Sequence, residues 1–369
     1  MTWVTPPLRP PSMIRARVSA SLQRRAGPSR RQTFSTTPQP SSAGYASTLR
    51  NLAAGPHSKV IVQGFTGKAS TVHTAISMSM GTNVVGGTSP GKGGQTHLDR
   101  PVFNSVREAV QACQPHASSV FVPPALAAGA VLEAIEAEVP LVVCVAEGLP
   151  AKDQMKIMSA LHSQSKTRLL GANSPGYCNP RGCRMGISPM ITAAPGPVAI
   201  ASRSGTVSYE ASWATKHLGQ SYILGLGGDF YPGTRTVEAL EFFMNDQDTK
   251  AIILCGEVGG SMEEEVYELL SSSSCPYRLS PSSTSPRREG DATPFIKPIV
   301  GFMSGLAVPP GQTFGHAGAI WRDGIHSAQQ KQDLWRRAGI RIAEAIADVG
   351  RLVEEELQLQ KRMLAGGNK

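Results

Sequence analysis

Residues 59–70, KVIVQGFTGKAS, run a short β-type apolar stretch straight into Gly64 and Gly67 and on into a segment that suits a helix. A strand that turns through glycine into a helix points backbone N–H groups at any anion seated on the helix N-terminus. Alone the stretch is ambiguous. Its spacing is GxxG, with Ser70 where a dinucleotide fingerprint would carry a third glycine, so a plain tight turn is the other reading.

Working outward, the same punctuation recurs. TNVVGG (82–87), SSVFVPP (118–124) and LVVCVAEG (141–148) are short apolar runs ending at glycine, proline or charge. Amphipathic stretches such as SVREAVQACQ (105–114) and GAVLEAIEAEV (129–139) separate them. This alternation is the sequence form of a doubly wound parallel sheet. The pattern breaks at the Gly- and Pro-rich stretch GANSPGYCNPRGCRMGISPMITAAPGP (171–197), after which a second series begins. Its strands are VAIAS (198–202), YILGLGGD (222–229), AIILCGEVGG (251–260) and PIVGFMSG (298–305), with crossover helices at VSYEASWATKHL (207–218) and TVEALEFFMND (236–246). The expectation is two α/β domains, 55–172 and 173–360. Residues 270–294, rich in Ser, Pro and Arg, interrupt the second without periodicity and read as a mobile loop or a retained intron.

The formal charge of +9 suggests a nucleic-acid surface until its distribution is read. Residues 1–50 hold eight Arg and no Asp or Glu, which leaves about +1 for everything after them. A basic groove therefore has little support. The opening stretch, Arg- and Ser-rich with no apolar h-region, reads as a disordered mitochondrial transit peptide and places the protein in the mitochondrial matrix; a disordered basic tail is the alternative. No apolar run approaches the ~18 residues of a membrane span. Six Cys at 113, 144, 178, 183, 255 and 275 form neither a CxxC pair nor a zinc spacing, and reduced thiols account for them.

Three segments carry chemistry. After the GxxG turn, a nicotinamide site would need an acid ~20 residues on, to take the ribose hydroxyls. No acid occurs until Asp99; the second strand ends instead in GGTSPGKGGQTH, which sets Lys92 among glycines. A cation there suits a ligand with an extra phosphate near its ribose, as CoA has, and a flexible glycine loop with a solvated lysine is the plain alternative. The second segment, SRSGTVSYE (202–210), offers Ser204, Gly205 and Thr206 at a helix start, either for phosphate or as an ordinary N-cap. In the third, Glu257 ends the strand AIILC and His316 lies in a glycine-rich loop just after PIVGFMSG. Both fall on the C-terminal edge of the sheet, where open α/β folds gather ligands. A carboxylate beside an imidazole fixes its tautomer and raises its nucleophilicity. His57, His73, His97, His116, His162, His217 and His326 have no such setting.

Taken in order, IVQGFTGK, VGGTSPGKGGQTHL, SRSGT with its Tyr-Glu pair, LGGD, CGEVGG and GHAGAI resemble the succinate–CoA ligase α subunits. The resemblance covers residues 58–355 apart from 270–294. It implies a Rossmann-like CoA-binding domain followed by a flavodoxin-like ligase domain. CoA would lie on Thr66, Gly67, Lys68, Ala69, Lys92, Val145, Ala146 and Glu147, and Tyr209 would contact the acid. It implies phosphohistidine at His316 steadied by Glu257, and a β subunit whose ATP-grasp fold holds Mg-ATP or Mg-GTP. The implied reaction interconverts succinyl-CoA, phosphate and NDP with succinate, CoA and NTP, a step of the tricarboxylic acid cycle. Four departures stand against it: GANSPG with Ser174 where the family has Cys, VAEG for ITEG, Phe230 and Tyr231 after GGD, and WRDGIHSAQQ (321–330) for a Gly-Lys-Gly segment. They leave open a non-catalytic or regulatory CoA-binding subunit, or a paralogue acting on another dicarboxylic acid. A nicotinamide oxidoreductase is disfavoured by Lys92.

Overall fold

The computed structural model describes residues 43–278, 295–313, 315–321 and 327–366. Its strands are β1 (Val60–Gln63), β2 (Val84–Thr88), β3 (Thr96–His97), β4 (Arg100–Phe103), β5 (Ala117–Val120), β6 (Leu141–Cys144), β7 (Arg168–Leu170), β8 (Gly176–Asn179), β9 (Cys183–Gly186), β10 (Pro195–Ser202), β11 (Gln220–Gly225), β12 (Ala251–Glu257), β13 (Ile299–Ser304) and β14 (Arg341–Ala343). The helices are α1 (Ala43–Ala46), α2 (Lys68–Ser79), α3 (Val106–Cys113), α4 (Pro124–Glu136), α5 (Ala151–His162), α6 (Gly205–Ala214), α7 (Thr236–Asn245), α8 (Met262–Ser271), α9 (Ala328–Arg337) and α10 (Val349–Gly366).

The strands form two seven-stranded sheets, ordered β3-β4-β2-β1-β5-β6-β7 and β14-β13-β12-β10-β11-β8-β9. Parallel pairing dominates both, with antiparallel β3 on one edge and the antiparallel β8–β9 hairpin on the other sheet's edge. Central strands such as β1, β6 and β12 are buried on both faces, which is why they read as continuous apolar runs rather than alternations. In the first sheet the order reverses between β1 and β5, and in the second between β10 and β12. Crevices open at such reversals, at the C-terminal ends of the strands. The GxxG turn follows β1, and Arg203 and Glu257 sit at the ends of β10 and β12, so the sequence motifs fall on the two switch points.

Local signals fix the connecting helices. Ser105 caps α3 by accepting from Glu108 N–H at 3.2 Å, while Glu108 takes Asn104 N–H at 2.9 Å. Ser327 and Gln330 form the same reciprocal pair at the start of α9. No helix among the described residues is long and apolar enough to cross a membrane.

Three expectations need correction. Residues 43–50 belong to the fold rather than to a structureless leader: α1 and the following 3-10 turn, Ser47–Leu52, place Tyr45 and Thr48 in the interior. The Tyr45 hydroxyl donates to Gly233 O at 2.5 Å, and its ring lies 4.1 Å from the guanidinium carbon of Arg168. Residues 1–42 lie outside the described part. Secondly, the Gly- and Pro-rich break contains β8 and β9. Both are wholly buried, and the Tyr177 hydroxyl sits between the carbonyls of Leu52 at 2.9 Å and Ala54 at 2.5 Å. Thirdly, the start of the interrupting segment belongs to the fold: Leu270, in the last turn of α8, is in the core, Tyr277 is buried, and Arg278 bonds Ala338 O at 2.8 Å. Residues 279–294 lie outside the described part.

A single core joins residues of both sheets, among them Val60, Leu141 and Leu170 with Tyr177, Leu224 and Leu254. Arg168 of β7 is buried completely and ties three elements together. It donates to Thr48 Oγ1 at 2.9 Å, to Tyr45 O at 3.0 Å and to Glu238 of α7 at 2.7 Å. Removing the cation while leaving Glu238 in place breaks a largely buried pair, so Arg168→Met should cost about 3 kcal/mol. Urea unfolding would show this as a lower midpoint at unchanged slope; an unaltered midpoint would mean that the 43–52 clasp contributes nothing.

Candidate active site on the sheet edges

On the first sheet, Gly64 takes φ +75° because the chain passes so close to β5 that a Cβ would lie 2.4 Å from Phe121 O. Gly67 then caps α2 without any side-chain acceptor, so the first-turn amides at Lys68 and Ala69 are left for an external anion. Thr66 Oγ1 stands 3.0 Å from Ser89 Oγ and accepts from Lys92 Nζ at 3.0 Å. Gly91 and Gly94 around Lys92 take φ +79° and +83°, with open space where a side chain would stand. The structure thus gathers Thr66, Gly67, Lys68, Ala69 and Lys92 around one helix mouth of positive potential. Phosphates fit that cradle. Val145, Ala146 and Glu147 leave β6 two strands away, about 10 Å along the same edge.

On the second sheet the two residues singled out from the third segment meet. His316 Nδ1 lies 2.7 Å from Glu257 Oε2. A carboxylate only accepts, so Nδ1 carries the proton and Nε2 is turned away from the pair. The Gly228 backbone lies against the ring, where a Cβ would come within 2.3 Å of the imidazole, and Gly318 N–H donates to Gly228 O at 3.1 Å. Glu257 is held from behind: its own N–H donates to Glu263 Oε1 at 3.2 Å, and Glu263 is paired with the fully buried Lys331. Arg203 Nη2 stands 3.1 Å from Glu257 Oε1, off the line of a hydrogen bond, so that contact is an ion pair.

The hydrogen bond to Glu257 raises the His316 pKa above its ordinary value of 6.5, against burial and the Arg203 charge, which pull it down. Glu147 adds to the upward pull. The charge of Glu147 thus reaches His316 although they belong to different sheets. The link is the 171–174 turn: Asn173 N–H donates to Ala146 O at 2.9 Å and Gly228 N–H to Asn173 O at 3.3 Å. Asp229 is buried beside them, its carboxyl pushed up by desolvation, and accepts from Gln154 of α5 at 3.1 Å. Sequence reasoning missed Asp229 and Arg203, whose signal lay inside LGGD and SRSGT, and Asn173, inside GANSPG; Gln154 lies in no motif and carried no signal.

Ser204, Gly205 and Thr206 open α6 at the switch point. Ser204 Oγ accepts from Val207 N–H at 3.5 Å, a long capping bond, and Thr206 is exposed. Tyr209 is half-buried one turn on, its hydroxyl 3.6 Å from where a Gly205 Cβ would stand. Burial pushes its phenol up while a hydrogen bond with Ser188 opposes. It lines an open groove of about 580 Å³ with Trp213 and Ile346. Tyr209 is thus at the mouth of α6 but is not joined by any described contact to His316 or Glu257. Of the departures, Ser174 has a structural post: its hydroxyl donates to Gly225 O at 2.6 Å and accepts from Gly176 N–H at 3.0 Å, so β11 is tied to the inter-sheet turn without a thiol. Phe230 and Tyr231 are exposed beside Asp229. Half of the divergent run 321–330, residues 322–326, lies outside the described part.

The class of protein follows from two family matches: a CoA binding domain over residues 56–148 and a CoA-ligase domain over 201–341. Whole-chain relatives narrow it. The α subunit 2 of an ADP-forming succinate–CoA ligase from Archaeoglobus fulgidus is 40% identical over 301 residues, 81% of this chain and 97% of that one. The corresponding α subunit from Aquifex aeolicus is 38% identical over 82% of this chain and 93% of its own, and that from Staphylococcus aureus 36% over 80% and 91%. The chain belongs to the succinate–CoA ligase α-subunit family. Among solved structures, ATP citrate lyase from Methanothrix soehngenii with citrate and coenzyme A superposes at TM-score 0.71, 21% identical over 85% of this chain. A dinucleotide-forming acetyl-CoA synthetase from Ca. Korarchaeum cryptofilum with phosphate and ADP gives 0.60 at 18% identity over 80%. The chain spans only 52% and 59% of those two proteins, which share its fold.

The sign of the His316 shift fixes its pH behaviour. A raised folded-state value means the His316–Glu257 pair contributes fully below pH 6.5 and loses its contribution as pH rises through the higher folded value. Nitrogen-15 titration of the histidines should place His316 above the ordinary imidazole range, and Glu257→Gln should bring it down. An unshifted His316 would contradict the hydrogen bond.

Proposed function

We propose that this chain is the catalytic α subunit of a nucleoside-triphosphate-dependent succinate–CoA ligase, working through a phosphohistidine at His316. The observation that carries the reading is the 2.7 Å bond from His316 Nδ1 to Glu257, which leaves Nε2 as the free nucleophile. The succinyl thioester carbonyl is attacked by phosphate, the C–S bond breaks, and CoA leaves as thiolate and takes a proton. Nε2 then attacks phosphorus, the acyl oxygen leaves as the carboxylate of succinate, and a P–N bond forms. In the last step an NDP oxygen attacks the phosphohistidine, the P–N bond breaks, and NTP is released with the imidazole regenerated. Dividing the overall transfer this way needs amides to neutralise charge at each stage. The α6 opening at Ser204, Gly205 and Thr206 is suited to hold the phosphate, and Tyr209, next to it, to meet the acid.

CoA runs from the α2 mouth, with its phosphates on Thr66, Gly67, Lys68, Ala69 and Lys92, along the edge to Val145, Ala146 and Glu147. The partner is an ATP-grasp β subunit in a heterodimer, carrying Mg-ATP or Mg-GTP. Support for a partner is that the relatives named above are themselves α subunits. The basic leader supports the mitochondrial matrix and the tricarboxylic acid cycle as the setting.

The test is to assemble the chain with a candidate β subunit and supply γ-labelled ATP. The expected label is acid-labile, base-stable, discharged by succinate plus CoA, and reduced at least a hundredfold in His316→Asn. An assembled complex that binds CoA but takes no label would establish the regulatory reading instead.

A further inference from the structure

The guanidinium of Arg203 touches both halves of this site, and the chemistry just proposed does not use it. Arg203 lies between the last residue of β10 and the N-cap of α6, and it is 3% exposed. Its Nη1 donates to Gly259 O at 3.4 Å, and its Nη2 stands 3.1 Å from Glu257 Oε1. A Cβ on Gly318 would come within 2.6 Å of Nη2, so the loop that carries His316 packs against the guanidinium. The Nε is buried without a hydrogen-bond partner. A buried cation is costly unless its charge is matched. A cation retained here therefore has a use beyond filling space.

Resting on the phosphohistidine reading, we propose that Arg203 is a positioning residue. By holding Oε1 of Glu257 it turns Oε2 onto His316 Nδ1, and so keeps Nε2 as the nitrogen that meets the phosphoryl group. Glu263 and Lys331 support the same carboxylate through its backbone, and Arg203 supports it through its head. With the guanidinium gone, the Glu257 carboxylate has no second anchor and its full charge falls on the ring.

The charged groups facing His316 give the effect a sign. They are Glu257 from β12, Arg203 from the end of β10, and Glu147 beyond β6; Asp229, beyond β11, interacts with the ring in turn. Arg203 is the cation in this set and opposes protonation of the ring. Its loss leaves imidazolium in place to higher pH, and imidazolium has no lone pair for phosphorus.

The test measures the initial rate of His316 labelling against pH in the assembled α–β complex, for wild type, Arg203→Met and Arg203→Lys. The acidic limb should move to higher pH in Arg203→Met and return towards wild type in Arg203→Lys. A merely structural role would lower the amount of competent enzyme and scale the profile without moving its midpoint. Should Arg203→Met not assemble, Arg203→Gln takes its place with the same expected displacement. Label on wild type with coincident midpoints for all variants would overturn the role of Arg203 alone. No label on wild type would overturn the function on which it rests.

Discussion

The carboxylate of Glu257, 5% exposed and gripped on both oxygens, is the constraint around which the second sheet is arranged. A buried carboxylate without partners is expensive, so its neighbours are determined: an imidazole on one oxygen, a guanidinium near the other, and a backbone N–H donated to the next acid along. Arg203 follows the end of β10, Glu257 itself ends β12, Glu263 follows in α8, and His316 lies in the loop after the adjacent strand β13. The right-handed crossovers of a parallel sheet put those ends side by side, and the site follows from the winding of the chain.

The two sheets are joined where their C-terminal edges approach. Ala146, Asn173 and Gly228 are linked in series by backbone hydrogen bonds, and Gly227 is so close to Ala172 that a Cβ there would lie 2.0 Å from its carbonyl oxygen. This close approach brings Glu147, at the far end of the proposed CoA track, into the electrostatic field of His316. Ser174 holds the turn to β11 through its hydroxyl. The thiol of the family pattern is replaced here by a side chain with two hydrogen bonds in the same place.

Much of this was legible in the sequence, and the reason is physical. Strands buried on both faces read as apolar runs, so β1, β6 and β12 announce themselves, and at the end of β1 the close approach to Phe121 O leaves room only for Gly64. His316 and Glu257 could be paired because Glu257 ends β12 and His316 lies in the loop that follows the adjacent strand β13. The hairpin β8–β9 was hidden because CRMG puts a charged residue in the interior; Arg184 is buried because it bonds Ser188 O at 2.8 Å and, across more than a hundred residues of chain, His73 O at 3.0 Å and Ser77 Oγ at 2.8 Å, the last two beyond any local pattern. Arg168 was invisible for the same reason, and with it the folded state of residues 43–52, since an Arg- and Ser-rich leader runs into Tyr45 without a compositional boundary. Arg203 stood inside SRSGT, but a guanidinium there reads as solvated until the loop of His316 is seen lying on it.

The central claim is that Glu257 takes Nδ1 and thereby gives phosphorus to Nε2. Phosphorus-31 spectroscopy of the labelled complex, with the histidine ring nitrogens enriched separately in nitrogen-15, reads this directly. The account predicts a one-bond phosphorus–nitrogen coupling to Nε2 of His316; coupling to Nδ1 would contradict it.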